Sequence, residues 1–594
     1  MSADTTSARR IATQAEFAAP DGSPLFYRYW TRPEGTSGNP RGAIVLLHRG
    51  HEHSGRMMHL VEELGLDDFE FYAWDARGHG QSAPKGPAAT GFDDHVRDLD
   101  AFIRHINAAH GIAISDTALV AQSVGAAIAA TWVHDFAPRI RCMTLASPAF
   151  DIRLYVPFAR PGLKLLRSLM GPFPVKSYVT GRQLTRDPVR QRTYGTDPLI
   201  VRPINVDVLL GLYEAAERVV ADARAINTPT QLLISGSDYV VQQDVQHRFF
   251  ERLATGDKER HVLPGFLHDT LGEAHRTDVV RMVRDFILKR FAAPATRPAL
   301  LDAHRVGYTR DEMEELASPQ SLLSPRGAYW ALTRLSLKIG GLFSEGIALG
   351  HRTGFDSGST LDYIYRNEAA GRGWLGRRMD RTYLDAPGWQ GIRQRKVHAQ
   401  ALIRHAMERL AGEGRDIRLM DIAAGHGRYV LEAVAGAPQR PSSILLRDYS
   451  DINVEAGTRL AASLELDDIT TFMQGDAFDG DNLAAVAPKV SLAVVSGLYE
   501  LFPDNALIRR SLAGVAAATE DGGYLVYTGQ PWHPQLEMIA RTLTSHRAGE
   551  PWIMRRRTQE EMDQLVAAAG FEKIEQRIDR WGIFTVSLAR KVAP

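Results

Sequence analysis

From residue 43 to about 145 the chain repeats one rhythm, a short β-branched or apolar run followed by a longer amphipathic one. "AIVLLH", "MMHLVEELGL", "FEFYAWD", "HVRDLDAFIRHINAAHG", "TALVAQS" and "IRCMTLASP" follow in that order. Runs so short and apolar suit strands buried on both faces. The amphipathic stretches suit helices that cover them, so the rhythm calls for a mainly parallel sheet in an α/β fold. It resumes at "QLLISGSD", residues 231–238, and "HVLPG", residues 261–265. Between about 149 and 225 it lapses. "FARPGLKLLRSLMGPFPVKSYVTG" is apolar and punctuated by Pro and Gly, and is expected to form a helical insertion over the sheet.

After Phe291 the segment "AAPATRPALLDAHRVGYTRDEMEELASPQS" shifts to Ala, Pro and charge and reads as a boundary. Beyond it "KVHAQALIRHAMERLAGEG" is an amphipathic helix. From Ile417 the rhythm returns in "IRLMDIAAGHG", "SSILLRDYS", "ITTFMQGDAF", "VSLAVVSGLYELF" and "GGYLVYTG". "KIEQRIDRWGIFTVSLAR" at the end reads as two strands, suited to an antiparallel edge pair. The expected division is a first α/β domain over 1–291 with a cap at about 149–225, and a linker with helical connection over 292–340. A second domain covers 341–594, with a helical extension over 341–410.

A chain of 594 residues exceeds one ordinary core, and 44% apolar with 24% charged residues is the composition of a folded chain rather than a disordered one. Lys plus Arg and Asp plus Glu both number 70, so no bulk charge points to nucleic acid. The single cysteine, Cys142, excludes an intrachain disulfide and is expected to be buried and inert. "MSADTTSARRIATQAEF" lacks the apolar core of a secretory signal, and no run of about 18 apolar residues occurs. A cytoplasmic protein is expected. The apolar insertion with Arg160, Lys164 and Arg167 would allow peripheral contact with the inner membrane.

Acyl transfer needs a nucleophile on a stiff turn, a base, a carboxylate to orient the base, and amides aimed at the oxyanion. "ALVAQSVGAAIAA", residues 118–130, runs as a strand that turns into a helix at Ser123. The serine hydroxyl would project at the strand end, with the helix amino end facing the developing charge. Asp238 follows the strand "QLLIS", and His268 lies in a loop after the next strand. The order Ser, Asp, His therefore falls at the ends of successive sheet strands, with Asp269 and Asp244 as rival carboxylates. The histidines of "HRGHEHSGRMMH", residues 48–59, offer a metal reading, but His51 and His53 fall in a turn and no metal is expected.

On "AQSVG", "LLHRGHEHSGRM" and "WDARGHGQS", residues 28–291 resemble an α/β-hydrolase of the monoacylglycerol lipase and lysophospholipase type. The resemblance implies Ser123, Asp238 and His268 as a triad, the amides of Gly50 and Val124 as the oxyanion hole, and a lipid-like or small ester as substrate. Two positions depart from the pattern. Ala121 stands where the family usually has glycine, and Arg49 replaces the glycine after His48, where it would crowd the hole or face an anionic substrate group.

In the second domain a strand ends at Asp421, Gly425 and Gly427 permit a tight turn, and "RYVLEAVA" continues as helix. Asp448 and Asp476 end the next two strands. Three carboxylates so placed suit a nucleoside, and the spaced glycines by themselves would also serve a dinucleotide. "DIAAGHGR" resembles the loop of class I S-adenosylmethionine-dependent methyltransferases over about 410–594. That resemblance implies a cofactor site of Asp421, Ala423, Gly425, Gly427, Asp448, Asp476, Ala477 and Ser496. Tyr499, Glu500 and His533 become candidate acceptor contacts, with His533 a candidate base. Tyr527 and Gln530 lie nearby, and "GFDSGSTLDYIYRN", residues 354–367, is expected to close over the site.

The whole chain thus resembles bacterial fusions of a hydrolase with a methyltransferase. The implied function is ester hydrolysis together with S-adenosyl-L-methionine-dependent methylation of an unidentified, lipid-related acceptor. The alternative is that only the methyltransferase half is catalytic and the hydrolase-like half binds lipid or serves as a scaffold.

Overall fold

The computed structural model describes residues 10–82, 91–293, 296–547 and 549–592. The first nine residues, part of the leader reading, lie outside them. The chain divides into two compact units, Met1–Pro298 and Ala299–Pro594.

The first unit is built on eight strands: β1 (Thr13–Ala18), β2 (Pro24–Trp30), β3 (Ala43–Leu47), β4 (Glu70–Trp74), β5 (Thr117–Gln122), β6 (Cys142–Ala146), β7 (Thr230–Ser235) and β8 (Lys258–Leu263). They lie in the order β1-β2-β4-β3-β5-β6-β7-β8. From β4 to β8 the pairing is parallel. Every residue of β3, β5, β6 and β7 is buried, as the apolar runs require of strands covered on both faces. The antiparallel hairpin β1–β2 stands outside the sequence rhythm. Its signal is Pro20-Asp21-Gly22 between two apolar stretches, and Gly22 takes the positive φ of 82° that such a turn needs.

Helix α1 (Val124–Phe136) follows β5 directly. The insertion carries helices α2 (Ala159–Met170) and α3 (Val206–Ala221) and two shorter ones. It is not wholly helical as expected, for Pro174–Lys176 and Pro203–Asn205 pair as an antiparallel ribbon. Each strand starts with a proline, whose missing N–H costs nothing on an edge. Among the described residues no helix is long and apolar enough to cross a membrane.

In the second unit α4 (Gly358–Arg366) and α5 (Pro387–Gly412) precede β9 (Arg418–Asp421). Then come α6 (Arg428–Ala435), β10 (Ser443–Asp448), β11 (Thr470–Gln474), β12 (Val490–Val495), α7 (Asn505–Ala518), β13 (Thr519–Gly529), β14 (Phe571–Ile578) and β15 (Thr585–Lys591). The sheet order is β11-β10-β9-β12-β13-β15-β14, a Rossmann-like sheet parallel from β11 to β13 with β15 and β14 antiparallel at one edge. Helix α5 presents Ala399, Leu402, Ile403, Ala406, Met407 and Leu410, a stripe at helical spacing, to Leu419, Leu492, Val526 and Leu588 of the sheet. Helix α7 covers the other face with Ile508, Leu512 and Val515.

The segment expected as a linker and connection, 292–340, is folded into the second unit from Ala299 onward. Its helices Tyr308–Ala317 and Pro325–Gly340 are tied down by arginines. Arg556 pairs with Glu312 at 2.6 Å, Arg541 donates to the Glu315 and Ser318 carbonyls, and Arg334 donates to the Arg541 carbonyl. A composition rich in Ala and charge therefore marks a polar helical layer here.

Candidate active sites

Ser123 stands between β5 and α1 with φ 54° and ψ −115°, a backbone conformation that side chains other than glycine rarely adopt. The turn is tight because Gly125 lets α1 close onto β3. A Cβ at Gly125 would lie 2.4 Å from the His48 carbonyl oxygen and 2.8 Å from that of Leu47. Ala121 is tolerated because it lies inside β5, fully buried and without a positive φ.

The Ser123 hydroxyl donates to Nε2 of His268 at 2.7 Å, and Nδ1–H of His268 donates to Oδ2 of Asp238 at 2.8 Å. Oδ1 of Asp238 accepts the Val240 and Val241 amides at 2.7 and 3.1 Å. Burial by itself would raise the Asp238 carboxyl, but the His268 imidazole and the two amides outweigh it and hold it below its ordinary range. All three side chains are buried. Gly50 lies beside the first residue of α1, since a Cβ there would sit 3.0 Å from Cγ2 of Val124. The Val124 amide, at the first helical position, has no intrahelical acceptor. The arrangement has the parts for acyl transfer: a nucleophile, a base held in one tautomer, and amides beside the serine.

The rival carboxylates are used elsewhere. Asp269 accepts from Gln122 Nε2 at 2.8 Å and from Arg190 Nε at 2.9 Å, and Asp244 sits exposed in a helix near Arg248. Arg49 does not face outward as a cation for an anionic substrate. Its guanidinium is buried, donates to Glu52 at 2.7 Å and lies 5.1 Å from the Tyr194 ring centroid, while Glu52 also takes Arg56 at 2.8 Å. The histidines that follow fasten this turn to other elements. His51 meets the Val201 carbonyl, His53 meets Asp197, and His48 accepts the Ala76 amide. Among the described residues no cluster of metal-ligating side chains exists.

In the second unit Gly425 and Gly427 have φ of 57° and 70°, and the loop between β9 and α6 is held from inside. Asp421, fully buried below it, accepts the Ala423 amide at 3.2 Å and the Tyr429 hydroxyl at 2.5 Å, and burial pushes its carboxyl up to about 7. The Ala424 amide goes to the Arg447 carbonyl, the Gly425 amide to Oδ2 of Asp448 at 2.9 Å, and the Gly427 amide to the Ala424 carbonyl. These amides are committed to the protein, so the loop has few donors left for a pyrophosphate.

Above the loop lies a cavity of about 700 Å³ lined by Ala423, Gly425, Asp448, Asp476, Ala477 and Ser496, with Ser357, Gly358, Asp362 and Tyr365 contributed from α4 and its approach. Asp362 pairs with Arg428 at 2.5 Å, which ties α4 to the loop. Asp421 and Gly427 shape this cavity without lining it. A Cβ at Gly427 would meet Leu446 at 2.7 Å.

Residues 283–591, just over half of the chain, match the family described as "Putative methyltransferase". The chain belongs to that family. Residues 38–275 match a second family, "Serine aminopeptidase, S33". "Uncharacterized protein YnbC" of Escherichia coli (strain K12) is 49% identical over 580 residues, 98% of each chain. The "Monoacylglycerol lipase" of Mycolicibacterium smegmatis is 25% identical over 283 residues, 46% of this chain and 97% of its own. "Phospholipase YtpA" of Bacillus subtilis is 24% identical over 253 residues, 42% of this chain and 95% of its own. The first unit is thus a lipase- and esterase-like α/β-hydrolase, fused to a methyltransferase domain.

A second cavity of this methyltransferase-family unit, about 450 Å³, adjoins the first. The two share Asp356, Leu361, Gly497 and Leu501. Of the three candidate acceptor contacts, Glu500 and His533 line it. Tyr499 does not. Its ring packs in the core below β12 and its hydroxyl bonds Ser511 at 2.9 Å, because the turn after β12 directs it inward. Tyr527 is likewise buried and bonds Asp563, whereas Gln530 lines the second cavity. Arg395, Trp389 and Trp552, which also line it, escaped sequence reasoning. They come from α5 and from the stretch before the last helix, far apart in the chain, and only the fold brings them together.

Proposed function

We propose that the first unit is a serine hydrolase acting on a carboxylic ester, of lipid or lysophospholipid type, and that the second transfers a methyl group from S-adenosyl-L-methionine. The Ser123–His268–Asp238 hydrogen-bond chain carries the first half. In this reading Ser123 Oγ attacks the ester carbonyl as His268 Nε2 takes its proton, and the Gly50 and Val124 amides receive the oxyanion. His268 then returns the proton to the leaving alcohol, and Asp238 steadies the imidazolium. The names of the hydrolase relatives support an ester. So does the state of the buried carboxylates around the turn: Asp238, Asp269 and Glu52 are each already bonded, which leaves none of them to receive a peptide's terminal ammonium.

The second half rests on the fit of the 700 Å³ cavity to a nucleoside without phosphates. Asp448 keeps one lone-pair site, on Oδ2, for a ribose hydroxyl after bonding Gly425, Ser450 and Asn453, Asp476 follows the end of the neighbouring strand, and the loop amides are turned inward. When bound, the cofactor supplies an activated methyl group. The residues bind it, exclude water and set the side from which an acceptor approaches.

The test is fluorophosphonate labelling of the full chain, read by intact mass. A single adduct in the wild type that disappears in Ser123→Ala, together with turnover of acyl esters and none of aminoacyl anilides, is the expected result. Wild-type protein that takes no label refutes the hydrolase half and favours a binding role for that unit.

A further inference from the structure

The 450 Å³ cavity is of small-molecule size and its walls are mostly apolar, with the rings of Trp389 and Trp552 6.3 Å apart and nearly parallel. Arg395 and Glu500 line it together with Gly497, which it shares with the cofactor cavity, and the Tyr383 hydroxyl and Trp552 Nε1 on its wall also lack partners. Arg395 and Glu500 are both more than nine-tenths buried, and Nε of Arg395 and Oε2 of Glu500 have no hydrogen-bond partner. The Arg395 guanidinium would stand 3.0 Å from a Cβ at Gly497, one of the four residues that the two cavities share. Oε1 of Glu500 accepts from Thr528 at 2.7 Å and lies 3.8 Å from Nη1 of Arg395, so the carboxylate is held in place with its other oxygen unspent. An unpaired donor and an unpaired acceptor this deeply buried are costly unless a ligand completes them.

We propose that this cavity takes the methyl acceptor, an apolar molecule that presents one hydroxyl group to Glu500 and Arg395. This deepens the methyltransferase reading and rests on it. A hydroxyl satisfies both atoms at once, donating to Oε2 of Glu500 and accepting from Nε of Arg395. A carboxylate would place a second negative charge against Glu500, and an ammonium would set a cation against Arg395 and offer no lone pair. In the transfer the acceptor oxygen gains the methyl carbon, the sulfonium C–S bond breaks with its electron pair on sulfur, and the hydroxyl proton passes to Oε2 of Glu500.

His533, a candidate base on sequence grounds, does not take that part. Its Nδ1 accepts the Gln535 amide at 3.0 Å, so Nε2 carries the ring proton, and burial lowers its basicity to a pKa of about 3.

The test uses the purified full chain and 11-bromo-1-undecanol, whose bromine quenches nearby tryptophan fluorescence. Saturable quenching is expected, at least tenfold tighter than with 11-bromoundecanoic acid, and it is expected to vanish in Trp389→Phe/Trp552→Phe. Labelled methyl transfer from S-adenosylmethionine to the alcohol, measured at saturating alcohol, is expected to fall at least 100-fold in Glu500→Gln. Calorimetric titration with S-adenosylhomocysteine separates the two levels of the argument. If it does not bind, the methyltransferase reading fails and this inference with it. If it binds while the alcohol fails to quench, binds no better than the acid, is not methylated, or is methylated equally by Glu500→Gln, the acceptor assignment alone is overturned.

Discussion

Gly125→Ala tests whether the approach of α1 to β3 builds the hydrolytic site. The added Cβ would stand 2.4 Å from the His48 carbonyl oxygen, about 1 Å short of an ordinary contact, and 2.8 Å from the Leu47 carbonyl oxygen. Both obstacles are backbone, so no rotamer change relieves them. Overpacking of this kind costs about 3 kcal/mol at the upper end, offset by about 1 kcal/mol of better helix propensity, for a net loss of about 2 kcal/mol. The displaced strand end leads directly into Gly50, so a shift of about 1 Å there lowers acylation by roughly 100-fold. The assay is the second-order rate of fluorophosphonate labelling alongside urea unfolding. Gly162→Ala, where the new Cβ meets nothing within 4 Å, is the control and is expected to keep the labelling rate within twofold. Gly125→Ala protein that labels at the wild-type rate with unchanged stability would refute the reasoning.

Asp238→Asn removes the acceptor that fixes the His268 tautomer, and kcat on a p-nitrophenyl ester is expected to drop about 10⁴-fold with the fold retained by circular dichroism. Asp421 titrates near 3.9 when unfolded but near 7 when buried, so the folded unit holds an extra proton between those values. Its contribution therefore falls as pH rises from 4 to 7, by up to about 1.4 kcal/mol per pH unit. Urea midpoints across that range are expected to show this slope in wild type and lose it in Asp421→Asn. Cys142 is fully buried in β6 and burial pushes its thiol up to about 12, so iodoacetamide is expected to modify it only after denaturant is added, as read by mass.

Sequence by itself determined the parallel strands of the two sheets and where they end, though not the β1–β2 hairpin. Burial on both faces forces a run such as "AIVLL" to be apolar throughout, and the residues at or just after the strand ends stand at the carboxyl end of the sheet, where Ser123, Asp238, Asp448 and Asp476 are found. The amphipathic stripe of α5 was legible for the same reason. Tertiary structure decided what depends on residues distant in the chain. It turned Arg49 inward onto Glu52, gave Asp269 to Arg190, and packed Tyr499 into the core. It also folded 299–340 onto the second unit, and set Arg395 of α5 beside Glu500 of the turn after β12. Local pattern records whether a side chain is buried, because burial follows the period of a helix or strand. Which partner a buried charge meets depends on how separate elements cross, and no period in the sequence encodes that.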